Sequence, residues 1–234
     1  MSQSTCRRVL YISYTGLLEP LGQSQVYRYL IRLADSHDIS LITYEKPGNL
    51  NDTERLESLR EIVESDGIEW YPLKYHQSPT VPATVFDLLN GFRVCIQSIL
   101  QNDIEIIHSR SYVASILGLV CKRLFGTAFV FDMRGFWADE RVDGGLWEAD
   151  GWLYRSAKWF ETQFLTYADV VVSLTEAGIE AIEAFDHVET EEMWFEKIPT
   201  CVDLDLFTPQ PSQDTNDFIL GYVGSVGTWY LFDD

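Results

Sequence analysis

The side chains best suited to chemistry stand at the ends of short apolar runs. His108-Ser109-Arg110 sets an imidazole beside a guanidinium as one such run gives way to a helix. An imidazole exchanges protons near neutral pH, so His108 is a candidate proton carrier or hydrogen-bonding group, although a lone histidine is more often structural than catalytic and only its position at the strand end raises the functional reading. Asp132-Met133-Arg134-Gly135 ends the next run. Its i, i+2 carboxylate and guanidinium read equally as an internal ion pair and as a clamp on a bound polar group. After the first run comes Leu21-Gly22-Gln23-Ser24-Gln25 at a helix start, where a glycine and free backbone N–H groups could meet an anion. The same glycine could simply be a turn residue with Ser24 near the cap. This segment is neither GxGxxG nor GxxxxGK[ST], which makes dinucleotide and P-loop readings weak. Residues 136–147, with Phe136, Trp137, Gly144, Gly145 and Trp147, read as a long aromatic loop of the kind that often serves as a lid. Ser173-Leu174-Thr175-Glu176 reads as a helix cap with an acid in the first turn.

Positioning these groups requires a regular scaffold, and the hydrophobic periodicity supplies one. Val9-Leu10-Tyr11-Ile12 is a continuous apolar run, as expected of a strand buried on both faces. Val26, Tyr29, Leu30 and Leu33 then follow i, i+3, i+4, i+7, the stripe of an amphipathic helix. The alternation continues with strands over 39–43, 68–73, 104–108, 128–131 and 170–173, and with helices over 53–65, 84–100, 113–125, 153–167 and 176–185. Repeated βα units demand right-handed crossovers, which predicts a doubly wound, Rossmann-like α/β domain around a parallel sheet. In such sheets ligands bind at the carboxyl ends of the strands, where the residues above fall.

Composition narrows the partners. Acidic residues number 36 against 17 basic ones, and a net charge of -19 disfavours nucleic acid and anionic lipid unless the few cations cluster. Lys122 and Arg123 interrupt the apolar stretch read as the longest, so no membrane span is expected, with peripheral association left open. The polar N-terminus lacks the apolar core of a secretory signal, so a cytoplasmic location is expected. Cys6, Cys95, Cys121 and Cys201 lie far apart with no metal-ligand spacing, which points to reduced thiols and no metal. Near the end, the composition predicts a first domain over 1–208 and a polar, proline-containing linker over 209–217. Residues 218–234 would begin a second domain with Phe218-Ile219-Leu220-Gly221-Tyr222-Val223.

Nearly the whole chain resembles the amino-terminal domain of the family-4 retaining glycosyltransferases, which have the GT-B fold. The resemblance rests on the order and spacing of Glu19-Pro-Leu-Gly-Gln-Ser-Gln25, Asp103-Ile-Glu-Ile-Ile-His-Ser-Arg110, Asp132-Met-Arg-Gly135, Ala168-Asp-Val-Val-Val-Ser-Leu-Thr175, Ile198-Pro-Thr-Cys-Val-Asp203 and Tyr222-Val-Gly-Ser225. It implies an enzyme that transfers a sugar, with retention, from a nucleotide-sugar donor to a glycan or lipid-linked acceptor. By this resemblance His108 is catalytic and lies near the transferred sugar, Arg110 and Arg134 bind acceptor, and Gly22, Gln23, Gly224 and Ser225 face the donor. The nucleotide-diphosphate sugar would be a co-substrate, with no other cofactor and no metal; Asp203-Leu204-Asp205 falls at the family's domain junction. Gly22-Gln23 replaces the paired glycines of many relatives, and Thr200-Cys201 replaces Asn-Gly. The family's diphosphate-binding Arg/Lys pair and E-x7-E glutamates belong to a carboxyl-terminal domain. Residues 1–234 are therefore expected to be inactive alone. The alternative is a non-catalytic acceptor-binding half that pairs with a separate donor-domain chain.

Overall fold

The computed structural model describes residues 6–186, 188–189, 193–204, 207–208, 218 and 220–223. Within them the chain alternates as the periodicity demands. Strand β1 (Arg8–Ser13) leads to α1 (Pro20–Gly22), which runs through a π-helical turn (Gln23–Tyr27) into α2 (Arg28–Ala34). Then come β2 (Asp38–Glu45), α3 (Pro47–Leu50), α4 (Thr53–Ser65), β3 (Ile68–Lys74), α5 (Thr80–Asn102), β4 (Ile106–Arg110) and α6 (Ser111–Phe125). The series ends with β5 (Ala128–Asp132), α7 (Trp137–Asp143), α8 (Trp152–Tyr167), β6 (Val170–Ser173), α9 (Glu176–Glu183) and β7 (Phe195–Lys197). All strand pairs are parallel, in the order β3-β2-β1-β4-β5-β6-β7. Strand order reverses between β1 and β4, which is where such sheets open a crevice for ligands.

The core fills both faces. Tyr11, Leu41 and Trp70 meet Leu30 of α2 and Val63 of α4 on one side. On the other, Leu10, Ile12 and Ile107 meet Cys95 of α5 and Leu117 of α6, and Phe129 and Phe131 meet Phe164 of α8. Helix ends follow local chemistry: Asp52 accepts from the Arg55 N–H at 3.1 Å to start α4, and Thr175 accepts from the Gly178 N–H at 3.0 Å to start α9.

Beyond shifts of one or two residues at other element ends and the short helix α3, four departures from the sequence reading stand out. Strand β4 ends at Arg110, two residues beyond the expected end, because its ladder with β1 pairs Tyr11 with His108 and Ser13 with Arg110. His108 is therefore a mid-strand residue. Residues 136–147 are not all irregular: α7 forms there, pinned to α8 by Asp139, which accepts from the Tyr154 hydroxyl at 2.8 Å and from Lys158 Nζ at 3.0 Å. Strand β7 gave no apolar signal because Phe195-Glu196-Lys197 is a short, largely exposed edge. Finally, among the described residues α5 rather than the segment ending at Lys122 is the one helix long and apolar enough to cross a membrane. Here it packs on β1, β2, β3 and α6, with Asp87, Gly91, Cys95 and Ser98 buried. It starts at Thr80, four residues early, since Pro82 falls in the first turn, where its missing N–H costs nothing.

Candidate functional site

Side chains alternate between sheet faces, and residues paired across parallel strands share a face. The registers Tyr11↔His108↔Val130 and Ser13↔Arg110↔Asp132 thus stack two rows on one face at the carboxyl edge, across the β1/β4 crevice. That face carries a cavity of about 560 Å³, closed on one side by Gln25, Arg28 and Tyr29 and on the other by 198–204. Tyr11, His108, Asp132 and Arg134 line its floor.

His108 lies against Tyr11, with ring centroids 4.5 Å apart, and its Nε2 stands 3.7 Å from Asp132 Oδ2. At that distance the two atoms form no hydrogen bond, and both His108 Nε2 and Asp132 Oδ1 are buried without a partner. Buried polar atoms are nearly always satisfied, so orphans grouped at a cavity mark a place where a ligand's polar groups belong. Gln25 Oε1 accepts from Arg110 Nη2 at 2.7 Å and from Arg134 Nη2 at 2.9 Å, so one amide oxygen holds two guanidinium groups. Burial lowers the Arg110 pKa, with the Arg134 charge acting in the same direction and Tyr11 and Asp132 opposing it. Burial, reinforced by Asp132, pushes the Tyr11 phenol well above its ordinary value. Arg134 adopts a left-handed backbone, with φ of 62°, and Gly135 follows at 154°. Non-glycine residues held there cost roughly 1–3 kcal/mol, a strain that tends to collect at functional sites.

The sequence-predicted residues therefore divide. His108, Arg110 and Arg134 come together, and Asp132 joins them without forming an ion pair to Arg134 among the described residues. Gly22 and Gln23 are turned to internal work. Gly22 is buried in ordinary right-handed helical geometry, and a Cβ there would overlap the Gly16 carbonyl. Gln23 Nε2 donates to the Leu17 carbonyl at 2.7 Å. Two N–H groups of the loop after β1 are also taken. Leu17 and Leu18 donate to the Glu45 carboxylate at 2.6 and 3.1 Å, and the Thr43 hydroxyl adds a third bond at 2.7 Å. Glu45 is fully buried, and desolvation raises its pKa against these hydrogen bonds. Gly224 and Ser225 lie outside the described residues.

Sequence reasoning missed two features, one at the cavity and one away from it on α5. Gln25 was visible only as part of a helix start, and nothing local distinguishes it from Gln23 as the bridge between two arginines. Asp87 of α5 is fully buried and accepts from the Tyr14 hydroxyl at 2.9 Å, the His76 N–H at 3.0 Å and His76 Nδ1 at 2.5 Å. A lone acid in a largely apolar helix was the available signal.

Comparison with known proteins extends this geometry. No curated protein sequence matches the chain. Among solved structures, a sucrose-phosphate synthase from Thermosynechococcus elongatus superposes with a TM-score of 0.59 at 14% identity, covering 87% of this chain and 50% of that one. TcCGT1 in complex with UDP gives 0.61 at 11%, covering 91% and 54%. HepE from Anabaena, in complex with UDP and glucose, gives 0.56 at 10%, covering 88% and 47%. At these identities the likeness is one of fold, and the chain spans about half the length of these proteins. The family model described as "Glycosyl transferase 4-like domain" matches residues 23–193, which takes in every element from the π-helical turn to α9 together with His108, Arg110, Asp132 and Arg134; the chain belongs to that glycosyltransferase family.

Proposed function

We propose that the chain is the acceptor-side part of a glycosyltransferase that moves a sugar, with retention, from a nucleotide-diphosphate sugar to a glycan or lipid-linked acceptor. The observation that carries this reading is the convergence of His108, Asp132 and Arg134 on one cavity at the switch point of the sheet, with Arg110 tied to Arg134 behind it through Gln25. Structural neighbours bound to UDP support a nucleotide-sugar donor as co-substrate. Each residue has a task set by its surroundings. His108 Nε2 is free to hydrogen-bond a hydroxyl of the sugar being transferred, which fixes the anomeric carbon in place. Asp132 is a fixed negative charge beside it, suited to a centre that becomes electron-poor as the leaving group departs. Arg134 offers a planar donor array to the acceptor, and Arg110 backs it from the same Gln25 oxygen. Gly22 and Gln23 act indirectly, by holding the loop after β1 that would face the donor.

Charge developing on a departing nucleoside diphosphate must be met by cations and backbone donors. In this reading they come from a second half, consistent with a chain that covers about half of its neighbours' length. The test offers labelled nucleotide sugars and a panel of glycan and lipid-linked acceptors to two preparations: the 234-residue chain, and the same chain followed by a donor-binding half. Transfer by the second alone is expected. No transfer by either would reject the reading.

A further inference from the structure

The cationic side chains of this protein are unevenly spent. The chain carries 17 Lys and Arg against 36 acids, and eight of the described cations sit in ion pairs, as Arg7 does with Glu105 and Lys122 with Asp169. Around the cavity the arginines gather with little pairing: Arg28, Arg32 and Arg134 line it, and Arg110 stands behind it, tied to Arg134 through Gln25. Arg32, Arg110 and Arg134 have no carboxylate within 4.0 Å among the described residues, and Arg28 reaches Asp203 only at 3.9 Å. Arg110 is 7% exposed, its Nε has no partner, and it shares with Arg134 a single neutral oxygen, that of Gln25. An amide oxygen orients two guanidinium groups but does not neutralise them. Asp132 supplies one negative charge from below.

We infer that the acceptor carries a phosphate or pyrophosphate group, and that this group sits in the cavity against Arg134, Arg28 and Arg32, with the charge of Arg110 behind them; the inference rests on the acceptor-side reading above. A carboxylate offers two oxygens and is satisfied by one guanidinium fork, whereas a phosphate offers three or four oxygens and up to two charges, enough to engage several forks together. The buried charge of Arg110 strengthens this preference from behind the cavity, because attraction across a poorly solvated region is weakened less than attraction through water. The rest of the cavity also fits an esterified group. Ile31, Leu33, Val202 and Leu204 line it, leaving an apolar wall beside the cationic floor for whatever the phosphate is attached to.

Calorimetric titration of the 234-residue chain tests this without any need for turnover. The ligands are glucose 6-phosphate and geranyl phosphate, their uncharged counterparts glucose and geraniol, and UDP. The phosphorylated acceptor mimics are expected to bind at least about tenfold more tightly than their counterparts, with affinity falling as salt rises. Arg134→Ala is expected to remove at least about tenfold of that affinity and Arg32→Ala a few-fold, while Arg93→Ala on α5 leaves it unchanged. Arg134 and Arg32 are chosen because Arg110 is buried and its loss could unfold the protein. Preference for glucose 6-phosphate or for geranyl phosphate supports the proposal either way and separates a sugar-phosphate acceptor from a lipid-phosphate one. Equal affinity for charged and uncharged ligands, or an Arg134→Ala variant that binds as the parent does, overturns it. So does a site that takes UDP in preference to both mimics, since the anion is then the donor's. Phosphate binding through Arg134 without sugar transfer by the two-half protein would reject the proposed function and leave this site standing. Transfer to neutral acceptors at rates indifferent to Arg134 would do the reverse.

Discussion

Replacing Glu45 probes how the loop after β1 is held. The carboxylate accepts from the Leu17 N–H, the Leu18 N–H and the Thr43 hydroxyl, all buried, and Thr43 in turn accepts from Trp70 Nε1 at 2.8 Å. Glu45→Ala would strand two backbone donors and one hydroxyl. Each unsatisfied buried group costs roughly 1–3 kcal/mol, and water entering the vacated space recovers part, so a loss of about 3–5 kcal/mol is expected. Glu45→Gln keeps an oxygen for Leu17 and Thr43 but turns an NH2 toward the Leu18 N–H, for a loss of about 1–2 kcal/mol. The pH dependence has a definite sign. Desolvation raises the native pKa of Glu45 above its unfolded value, so the folded state holds this proton more tightly. Stability from this group is therefore fully present below the unfolded pKa and declines as pH rises through the native one. Glutamine has no such dependence, so the deficit of the Gln variant relative to the parent should be largest in acid and shrink toward neutral pH. Urea denaturation of parent and both variants at several pH values measures this. A deficit that grows with pH, or a loss under about 1 kcal/mol for the alanine variant, would refute the reasoning.

Two further substitutions test the scaffold. Gly22→Ala places a Cβ on the Gly16 carbonyl, a backbone atom that cannot rotate away, and should cost about 1–3 kcal/mol and lower Tm; a variant as stable as the parent would show that the helix start shifts freely. Asp87→Asn turns an NH2 toward the donors from Tyr14 and His76 and should cost roughly 2–4 kcal/mol in denaturant unfolding; a loss under about 0.5 kcal/mol would mean that His76 and Tyr14 find other partners.

The scaffold was legible where short-range physics decides it. Helix α4 was read as 53–65 and forms over Thr53–Ser65, because an apolar stripe follows an Asp52 cap. The doubly wound sheet follows from βα alternation, and the positions of Arg110 and Arg134 at strand ends follow from the sheet. What the sequence concealed is long-range. Glu45 closes the loop after β1 from the end of the neighbouring strand, 27 and 28 positions away from its two backbone donors. Gln25 bridges Arg110 and Arg134 across 85 and 109 positions. The two-residue extension of β4 depends on its pairing with β1, and it changes His108 from a strand-end residue into a mid-strand one packed on Tyr11. Helix α7 eluded periodicity because it has one buried residue, Ala138, in seven.

His108 offers the most direct test of the central claim, that transfer occurs at this cavity. Its side chain is 13% exposed and touches Tyr11, so His108→Ala should cost about 1–2 kcal/mol of stability through lost packing. Loss of a hydrogen bond made to the sugar in the transition state should lower kcat by about 100-fold or more. The measurement is the transfer rate of the two-half protein with and without His108→Ala, taken alongside thermal melts of the same samples. A collapse of kcat with a Tm lowered by only a few degrees is the predicted result. Full turnover in the variant, or a rate that falls only in step with the folded fraction, would contradict it.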